Sequence, residues 1–160
     1  MFERLSAEAS NLTVQIFWLC IVVQGSLLGY DEIALHRKRE MPKWERWGHP
    51  IDSFFFLLPF FLGGVLATAL PVWVFIGLAI LSSLIIMKDE WVHVGRVTAL
   101  ESFLHAGLFV LHPVTLYWGY QSWREGHLIT LLMISFLMFS TMLLQIVFWN
   151  LLDPRLQRKG

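Results

Sequence analysis

Residues 30–52 read YDEIALHRKREMPKWERWGHPID, a polar stretch set between two long apolar runs. On its N-terminal side lies an apolar window near 11–36, and on its C-terminal side another near 45–69. Three more windows follow near 71–94, 99–121 and 126–152. Each is long enough to reach the ~20 apolar residues that carry a helix across a bilayer. The whole chain agrees with them: of 160 residues 56% are hydrophobic and only 15% charged, with a mean hydropathy of +0.60. A soluble domain of ordinary composition is excluded on these numbers. The expected fold is therefore all-α, a polytopic transmembrane bundle of about five spans. The spans use up nearly all of the sequence, so any chemistry belongs in the bundle or at its rim.

The same pattern returns further along the chain. YDEIALH followed by KWERWGHP is echoed by KDEWVH followed by LESFLHAG. Each copy has a helix ending in Asp-Glu and His, a short basic turn, and a helix opening with Glu-x-x-x-His. This internal repeat divides one transmembrane domain, residues 1–160, into repeat A (about 11–69), repeat B (about 71–121) and an extra helix (about 126–152). Four spans are expected to form a pseudo-twofold unit, with the fifth against its side. Gly25 and Gly29 form a GxxxG pair, a candidate helix contact in lipid. Pro50, Pro59 and Pro113 fall inside spans and are expected to bend them.

Charge gives a sidedness. Arg37, Lys38, Arg39, Lys43, Arg46, Lys88, Arg96, Arg155, Arg158 and Lys159 fall on one face of a five-span arrangement, and only Arg4 and Arg124 on the other. The excess of basic residues marks the cytoplasmic side. An integral membrane protein of bacterial inner-membrane type is expected, N-terminus outside and C-terminus in the cytoplasm. The eight tryptophans mostly fall near span ends, where they read as interfacial anchors. Cys20 is the only cysteine, which leaves no intrachain disulfide and no thiolate metal site.

The chemistry concentrates at the cytoplasmic helix ends. Asp31, Glu32, Glu45, Asp52, Asp89, Glu90 and Glu101, seven of the twelve acidic residues, fall there together with His36, His49, His93, His105 and His112, five of the six histidines. Residues three or four apart share a helix face. Glu32 with His36, Glu45 with His49, Glu90 with His93 and Glu101 with His105 thus each set a carboxylate beside an imidazole. Asp52 and His112 lie about 10 Å deeper on the same faces. Ionisable groups within a span face the bundle interior and mark function. So many carboxylates in one volume repel each other and take up protons unless cations are present. Two divalent ions would balance them, and mixed carboxylate and imidazole ligation suits iron, with zinc and manganese as alternatives. The bland alternative is a set of interfacial charges paired with neighbouring lysines and arginines.

In these residues the pattern resembles the carboxylate-bridged di-iron centre of ferritin-like four-helix bundles, in which two helices each give a Glu and two give Glu-x-x-His. The likeness is confined to the helix ends. The chain departs from that family in using mostly Glu-x-x-x-His, in its extra histidines on the first and third helices, and in lying in a membrane. The resemblance implies bridging carboxylates among Glu32, Glu45, Glu90 and Glu101, with His36, His49, His93 and His105 as terminal ligands. Asp31 and Asp89 would then hold the outer ring nitrogens of those histidines. Asp52 and His112 are left as further ligands or a proton path.

Four functions compete. The first is a metal-dependent oxidoreductase acting on a lipophilic substrate such as a quinone, with apolar walls shielding reactive species from water. A zinc-dependent membrane hydrolase is a variant of it. The second is a divalent-metal or proton transporter. A b-type cytochrome fits poorly, because nearly every histidine has a carboxylate one turn away. Partners expected from the sequence are the bilayer and a lipophilic small molecule. A homo-oligomer is compatible with the pattern. The short basic loops give no support for nucleic acid.

Overall fold

The computed structural model describes the backbone of residues 2–35, 43–88 and 98–152, and the side chains of residues 11–35, 44–88 and 98–152. The described residues form five helices and no strand: α1 (Phe2–Tyr30), α2 (Lys43–Leu66), α3 (Val72–Ile86), α4 (Ala99–Arg124) and α5 (Leu128–Val147). Asp31–Leu35 continue α1, and Phe148–Leu152 continue α5, as wider π-helical turns. Four segments, Asn11–Leu35, Trp44–Ala69, Ala99–Arg124 and Leu128–Leu152, are long and apolar enough to cross a bilayer. The lateral surface agrees: Phe103, Val110, Ile129 and Phe136 are each more than two thirds exposed. That much apolar surface is stable only against lipid.

The third helix is shorter than the 71–94 expected from its composition. Pro71 precedes its first turn, and the helix runs for 15 residues, through Ile86. That is about 22 Å, below the ~30 Å hydrocarbon thickness. The remainder of the expected span, with Asp89, Glu90 and His93, lies outside the described residues. The prolines, by contrast, do not end their helices: α2 continues through Pro50 and Pro59, and α4 through Pro113.

α1 packs on α4, α4 and α2 both pack on α3, and α5 lies along α2. Around the bundle the order is α1, α4, α3, α2, α5. α1 and α4 run antiparallel and meet every seven residues. Asp31 meets His105, Gln24 meets His112, and Phe17 meets Gly119. A seven-residue repeat keeps one face of each helix turned to its partner over several turns.

The end of the bundle away from Asp31 and His105 is solid. Phe17, Phe60, Phe75, Leu131 and Ile134 are fully buried there, with Leu116 and Trp123 beside them. Phe17 and Phe56 each meet Phe60 edge to face, at 5.2 and 5.3 Å between centroids, and Phe75 stacks on Trp123 at 5.1 Å. Without a hydrophobic drive in lipid, such packing and close backbone approach hold the helices together.

Small residues supply that approach, but not where the GxxxG motif pointed. A Cβ added to Gly25 or Gly29 would meet no atom within 4 Å, so neither glycine sits against another helix. The close contacts occur instead at Gly63, at Gly64 against Leu132, and at Gly119 against Phe60. Two tryptophans also depart from the anchoring role. Trp123 and Trp149 are buried, at 7% and 4% exposure. The indole of Trp123 donates to the Ala67 carbonyl at 3.0 Å, holding the α2–α3 turn, in which Ala67 has a positive φ of 48°.

Candidate metal centre

At the opposite end the interior is polar. The boundaries of α4 show how the sequence places it. Thr98 caps the helix, its hydroxyl oxygen accepting from the Glu101 backbone N–H at 3.2 Å. Thr-x-x-Glu is a capping-box pattern, and it fixes the first turn so that Glu101 points inward, 2% exposed. His105 follows one turn later on the same face, 5% exposed. From α1, the widened turn beginning at Asp31 turns that carboxylate toward them, 1% exposed. Wide turns of this type recur at functional sites because they re-aim side chains that a regular helix would spread.

Asp31, Glu101 and His105 thus converge, one ligand atom of each lying within 4.8 Å of the others. His105 Nε2 is 3.2 Å from Asp31 Oδ2. A bound transition ion, with bonds of about 2.0–2.2 Å, keeps its ligand atoms within roughly 4 Å of one another. Small side-chain rotations would bring these three to that spacing. Two carboxylates and one imidazole suit iron, manganese or zinc. Asp31 also stands at the C-terminal end of α1, where the helix dipole disfavours negative charge.

Glu32 takes a different direction from its neighbour. Its carboxylate accepts from the Gln145 amide at 2.9 Å and the Trp149 indole at 2.6 Å, both from α5, and His49 Nδ1 lies 3.7 Å away. Gln145 in turn accepts from the Ser53 hydroxyl at 3.0 Å. This network ties α1, α2 and α5 together beside the first cluster. Glu45, in the first turn of α2, and His49 are buried as well, at 1% and 8% exposure.

Deeper along the α1–α4 seam, the Thr115 hydroxyl donates to Gln24 Oε1 at 2.7 Å. The Gln24 amide reaches His112 Nδ1 at 3.2 Å, and His112 Nε2 lies 2.9 Å from Ser82 Oγ. The direction of these bonds makes Nδ1 the acceptor and places the ring proton on Nε2. Protein groups thus engage both nitrogens of His112. Asp52, the other deep candidate, is ion-paired with Lys88, the arrangement the bland alternative described.

The groups nonetheless share one space. A cavity of about 80 Å³ is lined by Asp31, His49, Asp52, His105 and His112 together with Gln24 and Ser53. Of the residues singled out from the sequence, the structure gathers Asp31, His49, Asp52, Glu101, His105 and His112 in or beside this volume. Glu32 stands at its flank, 3.7 Å from His49, and Glu45 is buried one turn before His49 on α2. His36, Asp89, Glu90 and His93 lie outside the described residues.

Sequence reasoning missed Gln24, Ser82 and Thr115, uncharged polar residues set in apolar runs. Depth was the signal that could have found two of them. Gln24 stands seven residues before Asp31 and His112 seven after His105, so antiparallel helices that meet at the outer pair meet again there; Thr115 follows one turn on from His112.

The class these features define is a helical integral membrane protein with a buried carboxylate–imidazole cluster at one end of its bundle. No protein-family model, curated protein or solved structure matches the chain.

Proposed function

We propose that this protein is a membrane metalloprotein carrying two metal ions, iron at both positions, and that it oxidises or reduces a lipophilic substrate at the cytoplasmic end of its bundle. One observation carries the reading: Asp31 of the first helix and Glu101 and His105 of the fourth bring two carboxylates and an imidazole together, all buried, around one point. Buried carboxylates this close need a cation or a proton, and three mixed ligands on stiff helices are poised for a metal. A first ion would take Asp31, Glu101 and His105. The second would draw on Glu45 and His49 with Glu32 alongside, and, by the sequence pattern, on His36, Asp89, Glu90 and His93. Bound iron would supply one-electron chemistry. The chain's own contribution is to hold the ligands, keep bulk water away and offer an apolar approach.

The solid opposite half favours chemistry at one end over passage of ions through the bundle. Phe17, Phe60, Phe75 and Leu131, each 0% exposed, fill the route a transported cation would take. The ten-to-two distribution of lysine and arginine supports an orientation with the N-terminus outside and the cluster facing the cytoplasm.

Elemental analysis of protein purified without added metal, combined with its absorption spectrum, tests this directly. About two iron atoms per chain are expected, as in related dinuclear carboxylate sites, with a visible or near-ultraviolet band that changes on reduction. Stoichiometric zinc with no redox-dependent band would replace the oxidoreductase by the hydrolase. Absence of any stoichiometric metal would remove the metal reading altogether.

A further inference from the structure

The cavity of the cluster has a neighbour. Between α1 and α5 lies a groove of about 690 Å³, and Ile21, Gly25, Leu28, Met138 and Thr141 line both the groove and the cavity. The two spaces therefore adjoin along one strip of side chains. The groove exists because of the two glycines that form no helix contact. Gly25 and Gly29 line it, and each leaves open the space its missing Cβ would enter. Its rim is apolar and turned outward: Val22, Ile33 and Leu144 are 58%, 68% and 69% exposed. In a bilayer this face meets lipid chains.

The groove is not uniformly apolar. From Trp18 to Ile33 it follows α1 for about 22 Å, longer than the ~15 Å depth of one leaflet's hydrocarbon. At one end stand Glu32, Gln145 and Trp149, joined by the hydrogen bonds described above. The remaining length is walled by aliphatic and aromatic side chains and the two glycines, with Ser26 and Thr141, whose hydroxyls donate to the Val22 and Leu137 carbonyls of their own helices. An elongated apolar trough with a single polar end matches an amphiphile of one long chain and a small head. Charge narrows the head group. Among the described residues the charges at that end are Glu32, which lines it, and Asp31, next to it in the chain, so a phosphate or carboxylate head would meet like charge there. A hydroxyl can donate to the Glu32 carboxylate, and a hydroxyl or carbonyl can accept from the Gln145 amide.

We infer that the groove between α1 and α5 binds an uncharged, long-chain, hydroxyl- or carbonyl-bearing amphiphile drawn from the membrane, its chain over Gly25 and Gly29 and its head beside Glu32. The head then lies beside Glu32, whose carboxylate is 3.7 Å from His49 of the cavity lining, while the strip shared with the cavity runs beside the amphiphile's chain. Its role as the substrate of that cluster rests on the function proposed above. The binding site itself stands on the groove alone.

The test uses the full chain in phospholipid nanodiscs and two photoreactive probes of equal chain length, a diazirine-bearing long-chain alcohol and the corresponding fatty acid. Labelled residues are mapped by mass spectrometry. The alcohol is expected to label 18–33 and 137–149 severalfold more than the fatty acid does. Gly29→Leu fills the groove without lining the cavity, and is expected to lower that labelling about tenfold while metal content stays at the wild-type level. Labelling of the wild type in a preparation that proves metal-free would uphold the groove and sink the metal centre alone. Equal labelling by both probes spread over all outward faces, unchanged in Gly29→Leu, would mean bulk lipid and overturn the inference. Protection of the groove in a cross-linked dimer, with no probe entering it, would give the site to a second copy of the chain and overturn it equally.

Discussion

Replacing Asp31, Glu101 or His105 by alanine is expected to weaken metal binding by two orders of magnitude or more, beyond the 10–100-fold typical of residues that only support a ligand. The three side chains are the closest mixed group of carboxylate and imidazole among the described residues. All are at most 5% exposed, so water cannot easily take the place of a lost ligand. A more discriminating variant is Glu101→Gln. It keeps the volume and the Thr98 cap, which uses the backbone N–H of residue 101, and removes only charge. In metal-free protein this change removes the repulsion between the carboxylates of Glu101 and Asp31, whose ligand atoms lie within 4.8 Å of each other. In metal-loaded protein it removes a ligand, so the loss of stability is expected to be larger there than in the metal-free state. Thermal unfolding in detergent, with and without a chelator, reads the difference. A Glu101→Gln effect of the same size in both states would mean that Glu101 has a purely structural role.

The second large effect is expected at Gly119. A Cβ there would overlap Phe60 Cε1 and stand 2.9 Å from Phe60 Cδ1 and 3.0 Å from Phe17 Cζ. Both rings are fully buried. They also meet each other edge to face, so neither can swing aside without disturbing the other. Overfilling a packed core of this kind costs about 1–3 kcal/mol, and Gly119→Ala should lower the melting temperature accordingly. Gly25→Ala is the matched control. Nothing lies within 4 Å of its Cβ position, and alanine is the better helix former, so its melting temperature should hold or rise. The pair separates a glycine that lets two helices touch from one that leaves a groove open.

That contrast also marks what could be read in the chain beforehand. α1, α2, α4 and α5 are recoverable from length and hydropathy alone, because a bilayer demands a continuous apolar run for each crossing. The third segment is harder. Its composition continues past the Ile86 where the helix as described ends, and apolar composition does not say how much of a run is helix. The GxxxG pair misled for a related reason. Two glycines on one face announce a small surface, but whether a helix or a lipid covers it depends on the arrangement of the other helices. Trp149 reads as an anchor in the sequence because it sits at a span end. Its burial follows from Glu32 across the groove, a partner more than a hundred positions away.

The candidate site was more legible than the packing around it. Helical spacing alone puts Glu101 and His105 on one face, and their burial bears this out. Spacing does not say which of two adjacent acids turns inward. Asp31, expected to support a histidine, stands in the convergent group, while Glu32 faces Gln145 and Trp149. The widened turn at 31–35 divides their directions, and local sequence carries no mark of it. Asp52 lay on the expected face, yet its pairing with Lys88 depends on where the end of α3 comes to rest.

Anomalous diffraction from crystals of the unsupplemented protein, recorded at the absorption edge of whichever metal the elemental analysis finds, bears most directly on the central claim. The expected result is a strong difference peak within coordination distance of Asp31, Glu101 and His105, facing the cavity that His49 and His112 also line. A map with no peak there, and with those three side chains turned apart toward separate arginine or lysine partners, would contradict it.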